Sequence, residues 1–288
     1  MFAEVVSDRG QGTALVYLPG IDGSGQLLLG TAARLEQHFR LIRLRYRTSA
    51  SLAHRNYAHL ASSAVETVAL RGVDRMVLLA ESFGGAVALR AAIDFPERVT
   101  ALALVNTFAH YRRRNRLAVS RIALRYTPGW AIAAGRRVVA PLFLFGGRGE
   151  RMEIDEFLGR SGGPAPRPGG SKAIRAGDAA PTRRAESAAE IWGLDEGYHA
   201  RMRMIQGLDL RADLGRVRQP VALYASGRDR IVDSIRQARE MASALPDAEV
   251  EILDGRGHVV LPVRDIDWPA QFDRLVARAA SRAGASAD

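Results

Sequence analysis

Ser82 lies in "LLAESFGGAVALR" (Leu78–Arg90), where an apolar run gives way to a helical pattern. Ala80 and Gly84 sit two positions to either side, with Gly85 behind, so the stretch reads A-x-S-x-G-G. Small residues at these places let a strand and a helix pass close together around a sharp turn. A serine on such a turn exposes its Oγ. The helix that begins there offers a backbone N–H and its dipole to a developing oxyanion. The chemistry this permits is nucleophilic attack on a carbonyl carbon. A serine hydroxyl is a poor nucleophile until a base takes its proton, so a histidine and an acid must come from elsewhere in the chain. The plainer reading of a serine before a helix is an N-cap, its hydroxyl bonded back to the first turn.

The elements that must position Ser82 follow an alternation. Thr13–Gly20, Phe39–Tyr46, Arg75–Glu81, Val99–Asn106, Pro220–Ser226 and Ala248–Gly255 read as strands. Most are nearly continuous in Val, Leu, Ile and Ala, as strands covered on both faces are. Helical periodicity fills Tyr57–Gly72, Gly84–Phe95, Ser234–Leu245 and Trp268–Ala280. Strand and helix in turn predict an α/β fold with a mostly parallel, doubly wound sheet. Such sheets bind ligands at the C-terminal ends of their strands, which is where Ser82 falls. Between Asn106 and Gln219 the strands stop; two or three amphipathic segments and the Gly/Pro-rich "GRSGGPAPRPGGSK" (Gly159–Lys172) take their place. The expected organisation is a core of residues 1–107 and 216–288 interrupted by a helical cap at 108–215.

These features resemble the α/β-hydrolase family, from about Thr13 to the last helix, with "AESFGG" as its nucleophile elbow and Ala80 in place of the usual first glycine. The resemblance implies the α/β-hydrolase fold and a triad in the chain order serine, acid, histidine. His258, in "LDGRGHVVLP", is the Gly-His pair that the family shows after the last strand. His54 and His59 precede the elbow, His110 and His199 lie in or beside the insertion, and none has metal-ligand spacing. For the acid, "YASGRDRIVD" offers two residues. Asp229 has the family's position after the strand, whereas Asp233 suits the first turn of the next helix. The oxyanion site implied by the family needs a second N–H from the loop after the early strand, "LPGIDGSGQ" (Leu18–Gln26). Pro19 replaces the family's histidine, Gly20 keeps its glycine, and Ile21 becomes the donor that acts beside Phe83. Otherwise this is a plain Gly-rich turn held by Asp22 and Ser24 through Asx-type bonds. It lacks the spacing of a nucleotide-binding loop. "LPGIDGSG" with "AESFGG" is also similar to the phytyl ester synthase and diacylglycerol acyltransferase branch.

Composition limits the remaining possibilities. The chain has 288 residues and no cysteine, which excludes disulfides, thiolate metal sites and cysteine nucleophiles. The N-terminal "MFAEVVSDRG" has no basic start followed by an apolar run, and no apolar stretch reaches the length of a membrane span. The expected location is therefore the cytoplasm. The formal charge is +10, yet Lys172 is the only lysine among 41 basic residues, so arginine carries nearly all of it. Phe108–Ala200 holds 16 Lys and Arg against 9 Asp and Glu, densest in "HYRRRNR" (His110–Arg116). A solvated face accounts for this more simply than an anion-binding patch does. Leu117–Gly147 is apolar with spaced arginines, as expected of helices that lay a greasy face over a pocket.

The resemblance thus implies attack by Ser82 on an ester or thioester of an apolar acyl group. His258 would be the base, Asp229 would orient it, and Ile21 and Phe83 would hold the oxyanion, with no cofactor and no metal. The expected partner is a small lipophilic substrate, with neither nucleic acid nor stable membrane insertion. Epoxide hydrolase and dehalogenase chemistry is disfavoured, because those members carry an aspartate where Ser82 stands, and similarity to cofactor-free haloperoxidases is poor. Three other expectations stay open: acyl transfer to a lipophilic alcohol, a non-catalytic ligand-binding protein on the same fold, and a basic protein that binds anionic polymers through the insertion.

Overall fold

All six apolar runs become strands, and a seventh joins them. In the computed structural model, which describes residues 2–47, 56–112, 127, 144–146 and 196–285, these are β1 (Ala3–Arg9), β2 (Ala14–Leu18), β3 (Arg40–Tyr46), β4 (Met76–Glu81), β5 (Val99–Val105), β6 (Val221–Ser226) and β7 (Ala248–Leu253). They form one sheet in the order β1-β3-β2-β4-β5-β6-β7. β3 to β7 run parallel with β2, and only β1 is antiparallel, paired to β3. β1 is the strand that sequence periodicity misses. It is an edge strand of "AEVVSDR" whose residues are mostly half-buried, so it lacks the apolar run that marks its neighbours.

The central strands are apolar throughout because each face has its own core. Along β4, Met76, Leu78 and Ala80 join the cluster under α2 (Tyr57–Ala69), α3 (Phe83–Asp94) and a later helix, α5 (Ser234–Ala242), whereas Val77 and Leu79 join the opposite cluster. That second cluster is closed by α1 (Gly30–Leu35) and α6 (Trp268–Ala285), through Leu35, Trp268, Phe272 and Leu275. Residue alternation at a period of 2 thus sends successive apolar side chains into separate cores.

Between β5 and β6 the described residues comprise the two ends of the connection, Thr127, Leu144–Gly146 and α4 (Glu196–Gly207). The ends meet beside the sheet: Leu210 N–H donates to the Ala109 carbonyl at 2.9 Å, and His110 bridges Asp209. The greater part of the apolar Leu117–Gly147 stretch, the Gly/Pro-rich Gly159–Lys172 and Arg113–Arg116 lie outside the described residues.

Candidate active site

Ser82 links β4 to α3 with φ 50° and ψ −115°. This is a conformation that L-residues avoid and that persists only where the surroundings fix it. The surroundings do so from three sides. Ser82 N–H donates to the Val105 carbonyl at 2.9 Å, Gly85 N–H donates to the Ser82 carbonyl at 3.1 Å, and Thr107 Oγ1 donates to the same carbonyl at 2.6 Å. Gly84 and Gly85 are needed for contact rather than flexibility. A Cβ on Gly84 would lie 2.5 Å from the Leu18 carbonyl oxygen and 2.6 Å from that of Pro19, and one on Gly85 would strike Thr107. Ser82 precedes α3 but makes no side-chain cap bond, so the N-cap reading does not hold. We expect Gly84→Ala to destabilise the fold by about 1–3 kcal/mol, because the colliding atoms are backbone and cannot rotate away. Denaturant unfolding tests this, and a loss under about 0.5 kcal/mol would show that the elbow has slack.

The hydroxyl points instead to histidine. His258 Nε2 lies 3.0 Å from Ser82 Oγ, and His258 Nδ1 lies 2.7 Å from Asp229 Oδ2. The three side chains come from the segments that follow β4, β6 and β7, which leave the sheet on the same side, at the C-terminal ends of parallel strands, and are far apart in the chain. Asp229 Oδ1 accepts the N–H groups of Ile231 at 2.8 Å and Val232 at 3.0 Å, and Oδ2 also accepts the Ser234 hydroxyl. Asp233 takes the N-cap position of α5 without a side-chain cap bond, and its carboxylate is not among the partners of His258. Burial opposes charge on Asp229, yet His258, Ser234 and the Val232 N–H hold its carboxyl below the ordinary range. Burial also opposes charge on His258. The Asp229 carboxylate and its hydrogen bond, with Glu81 behind, outweigh that and raise the imidazole above its ordinary value.

The loop after β2 closes the other side. Gly20 lies against the elbow, where a Cβ would sit 3.7 Å from that of Ser82. Gly23 N–H donates to the Gly20 carbonyl at 3.1 Å, which sets the Gly20–Ile21 peptide and directs the Ile21 N–H the opposite way. Phe83 opens α3, so its N–H has no intrahelical acceptor. The Asx-type bonds expected of Asp22 are present, from Ser24 N–H at 2.9 Å and Ser24 Oγ at 2.5 Å.

Several residues here carry no sequence signal of their own. Asn106, at the end of β5 with φ 48°, accepts Ser226 N–H at 2.8 Å and donates through Nδ2 to the His258 carbonyl at 2.8 Å. It thereby pins the histidine loop to the ends of β5 and β6. Its only trace in the sequence is a polar residue closing an apolar strand. Leu144–Gly146 presses on the same loop: Val259 N–H donates to the Leu144 carbonyl at 3.0 Å, and a Cβ on Gly257 would meet Gly146 N at 2.4 Å. Arg201, on α4, is 1% exposed and reaches the β2 loop.

Glu81, beside the serine, is 2% exposed and accepts the Tyr17 hydroxyl at 2.9 Å. Burial, with Asp22 adding, pushes its carboxyl up to about 7, while His258 and the Tyr17 bond pull the other way. Its folded pKa thus lies above the ordinary 4.5, so the folded chain holds a proton that the unfolded chain has released. Stability falls as pH rises across that window and levels off above it. We expect Glu81→Gln, which keeps an acceptor for Tyr17, to gain on the wild type by about 2–3 kcal/mol between pH 5 and pH 8. Parallel stability curves for the two proteins would refute this.

Among the described residues, no group of three or more His, Cys, Asp or Glu could hold a metal ion, and no helix is long and apolar enough to cross a membrane.

Comparison with known proteins agrees with this architecture. "Putative carbamate hydrolase RutD" of Shigella flexneri serotype 5b (strain 8401) is 26% identical over 279 residues, covering 91% of this chain and 89% of that protein. Among solved structures, the enol-lactonase from Burkholderia xenovorans LB400 overlays with a TM-score of 0.68 at 19% identity, covering 97% of this chain and 96% of its own. "Putative non-heme bromoperoxidase BpoC" from Mycobacterium tuberculosis H37Rv gives 0.70 at 15%, covering 97% of each chain. At these identities the overlays show the shared fold alone. A family model described as the alpha/beta hydrolase family matches residues 15–275. With the parallel sheet and the strand-end site, this makes the chain a member of the alpha/beta hydrolase family.

Proposed function

We propose that the chain is a serine hydrolase that cleaves carboxylic esters or thioesters of apolar acyl groups through an acyl-enzyme on Ser82. The observation that carries this reading is the continuous line from Ser82 Oγ through His258 to Asp229, at 3.0 Å and 2.7 Å, starting from a left-handed serine. His258 Nε2 takes the hydroxyl proton as Oγ bonds to the carbonyl carbon, and the carbonyl π pair moves onto oxygen. The N–H groups of Ile21 and Phe83 receive that oxyanion. As the pair returns, the C–O or C–S bond breaks and His258 protonates the leaving group. Water, deprotonated by His258, then attacks the acyl carbon, and Ser82 leaves with its proton restored. Asp229 holds Nδ1–H so that Nε2 faces the serine as a base.

Residues 108–215 act in this reading as a cap. The apolar composition of Leu117–Gly147 supports a lipophilic substrate, and buried Phe83, with Tyr57 tilted against it and Tyr46 edge-on at ring distances of 5.2 and 5.8 Å, packs aromatic side chains next to the nucleophile. The names of two of the proteins compared, a carbamate hydrolase and an enol-lactonase, describe the same elementary step, attack on an acyl carbon that bears a heteroatom leaving group. The test is intact-protein mass spectrometry after a fluorophosphonate, beside turnover of p-nitrophenyl esters of increasing chain length and of an acyl thioester. A single adduct on the peptide containing Ser82, with turnover that rises with chain length, is expected. No adduct and no turnover would overturn the reading.

A further inference from the structure

Arg201 is a full cation at 1% exposure, and removing such a group from water costs several kcal/mol unless it is well satisfied. Its side chain crosses from α4 to the β2 loop. Nε donates to the Ile21 carbonyl at 2.7 Å and Nη2 to the Asp22 carbonyl at 3.1 Å. The guanidinium lies flat against Gly23, where a Cβ would come within 2.8 Å of Cζ; with φ +69°, Gly23 is the residue that allows this approach. The Asp22 carboxylate lies near enough for Arg201 to lower its pKa, although burial raises it overall.

Three consecutive peptides of the turn are therefore fixed. The Gly20–Ile21 unit is held by Gly23 N–H, and the Ile21–Asp22 and Asp22–Gly23 units are each held by one arm of Arg201. Asp22, through Ser24, stiffens the far side of the loop. The fork geometry matters: two carbonyls gripped in one plane leave the loop no hinge at Ile21. Without the grip, the Asp22–Gly23 peptide, whose N–H holds the Gly20 carbonyl, is free to rotate, and the Ile21 N–H loses the bond that fixes its direction.

We propose that Arg201 is a positioning residue for the oxyanion site, which orients the Ile21 N–H by holding the carbonyls of Ile21 and Asp22 from the end of the cap. The proposal rests on the serine-hydrolase reading. It also links the cap to catalysis, because α4 is the element that returns the chain from the insertion to the sheet. A displacement of α4 would pass to the oxyanion donor through one side chain.

The experiment compares wild type, Arg201→Met and Arg201→Lys by kcat and KM on a neutral p-nitrophenyl ester. It adds the Ki of a trifluoromethyl ketone, which forms a tetrahedral oxyanion on the serine, and the Ki of a carboxylate product, which does not. Arg201→Met is expected to lower kcat and weaken the ketone in parallel by about 10²-fold, with KM and product affinity within about threefold. Arg201→Lys keeps the charge but grips one carbonyl at a time, and should recover part of the loss. If Arg201→Met does not fold, Gly23→Ala, which expels the guanidinium from its seat, serves as the second variant with the same expectation. Unchanged kcat and ketone affinity in a folded variant would overturn the proposal. So would a rise in KM confined to anionic esters, which would make Arg201 a substrate-binding group. A wild-type protein that shows neither turnover nor a Ser82 adduct would instead remove the serine-hydrolase reading itself.

Discussion

Ser82→Ala is expected to lower turnover of activated esters by on the order of 10⁴–10⁶-fold and to abolish the fluorophosphonate adduct. What remains would come from substrate binding and the two oxyanion donors. Stability should change little, by less than about 1 kcal/mol. Alanine meets the same cost as serine at φ 50°, so the strain of the elbow is not relieved, and the one side-chain bond lost is that to His258 Nε2. The measurement is steady-state kinetics with a melting curve of the same preparation. A variant that retains turnover within tenfold, still folded, would mean that Oγ is not the nucleophile.

The second large effect is expected at Asp229→Asn, a drop of about 10⁴-fold in kcat. The direction of the amide can be derived from its partners. Oδ1 accepts the Ile231 and Val232 N–H groups, so the oxygen of an asparagine stays there and its NH₂ faces His258 Nδ1. That NH₂ donates to Nδ1, which forces the proton onto Nε2, and Nε2 can then no longer accept from Ser82. The pH dependence should move as well. In the wild type, Asp229 and Glu81 raise His258 above its ordinary pKa despite burial, so kcat/KM should fall as pH drops through that raised value. Without the Asp229 charge, burial prevails and the residual activity should titrate at lower pH. A profile that does not move would separate Asp229 from the titration of His258.

The same pair makes folding depend on pH in two windows. Asp229 is depressed in the folded state, so its contribution is present above its unfolded pKa and lost as pH falls through the folded one. His258 is raised, so its contribution is present below its unfolded pKa and lost as pH rises through the folded one. Glu81 acts in the same direction as His258 and against Asp229, since its raised carboxyl costs stability as pH rises from 4.5 to about 7. Glu81 adjoins Ser82 in the chain, and its charge is one of those that raise His258.

The strand and helix alternation, the elbow at Ser82 and the strand-end positions of Asp229 and His258 are all present in the sequence, because each is a local pattern. A buried strand shows as an apolar run, a tight strand-to-helix turn as small residues around a serine, and a post-strand loop as Gly-Asp or Gly-His. Local patterns also left one real choice, Asp229 or Asp233, four residues apart. In the structure it is Asp229 that lies 2.7 Å from His258. What only tertiary structure supplied are the residues that act at long range through backbone carbonyls. Asn106 meets His258 across 152 positions, and Arg201 meets Ile21 across 180. A carbonyl is the same on every residue, so the partner of such a side chain leaves no mark in the sequence. β1 escaped for a related reason: a half-exposed edge strand buries too little to need an apolar run, and its pairing with β3 is made by backbone and by polar side-chain pairs such as Arg40 with Asp8 and Arg45 with Glu4.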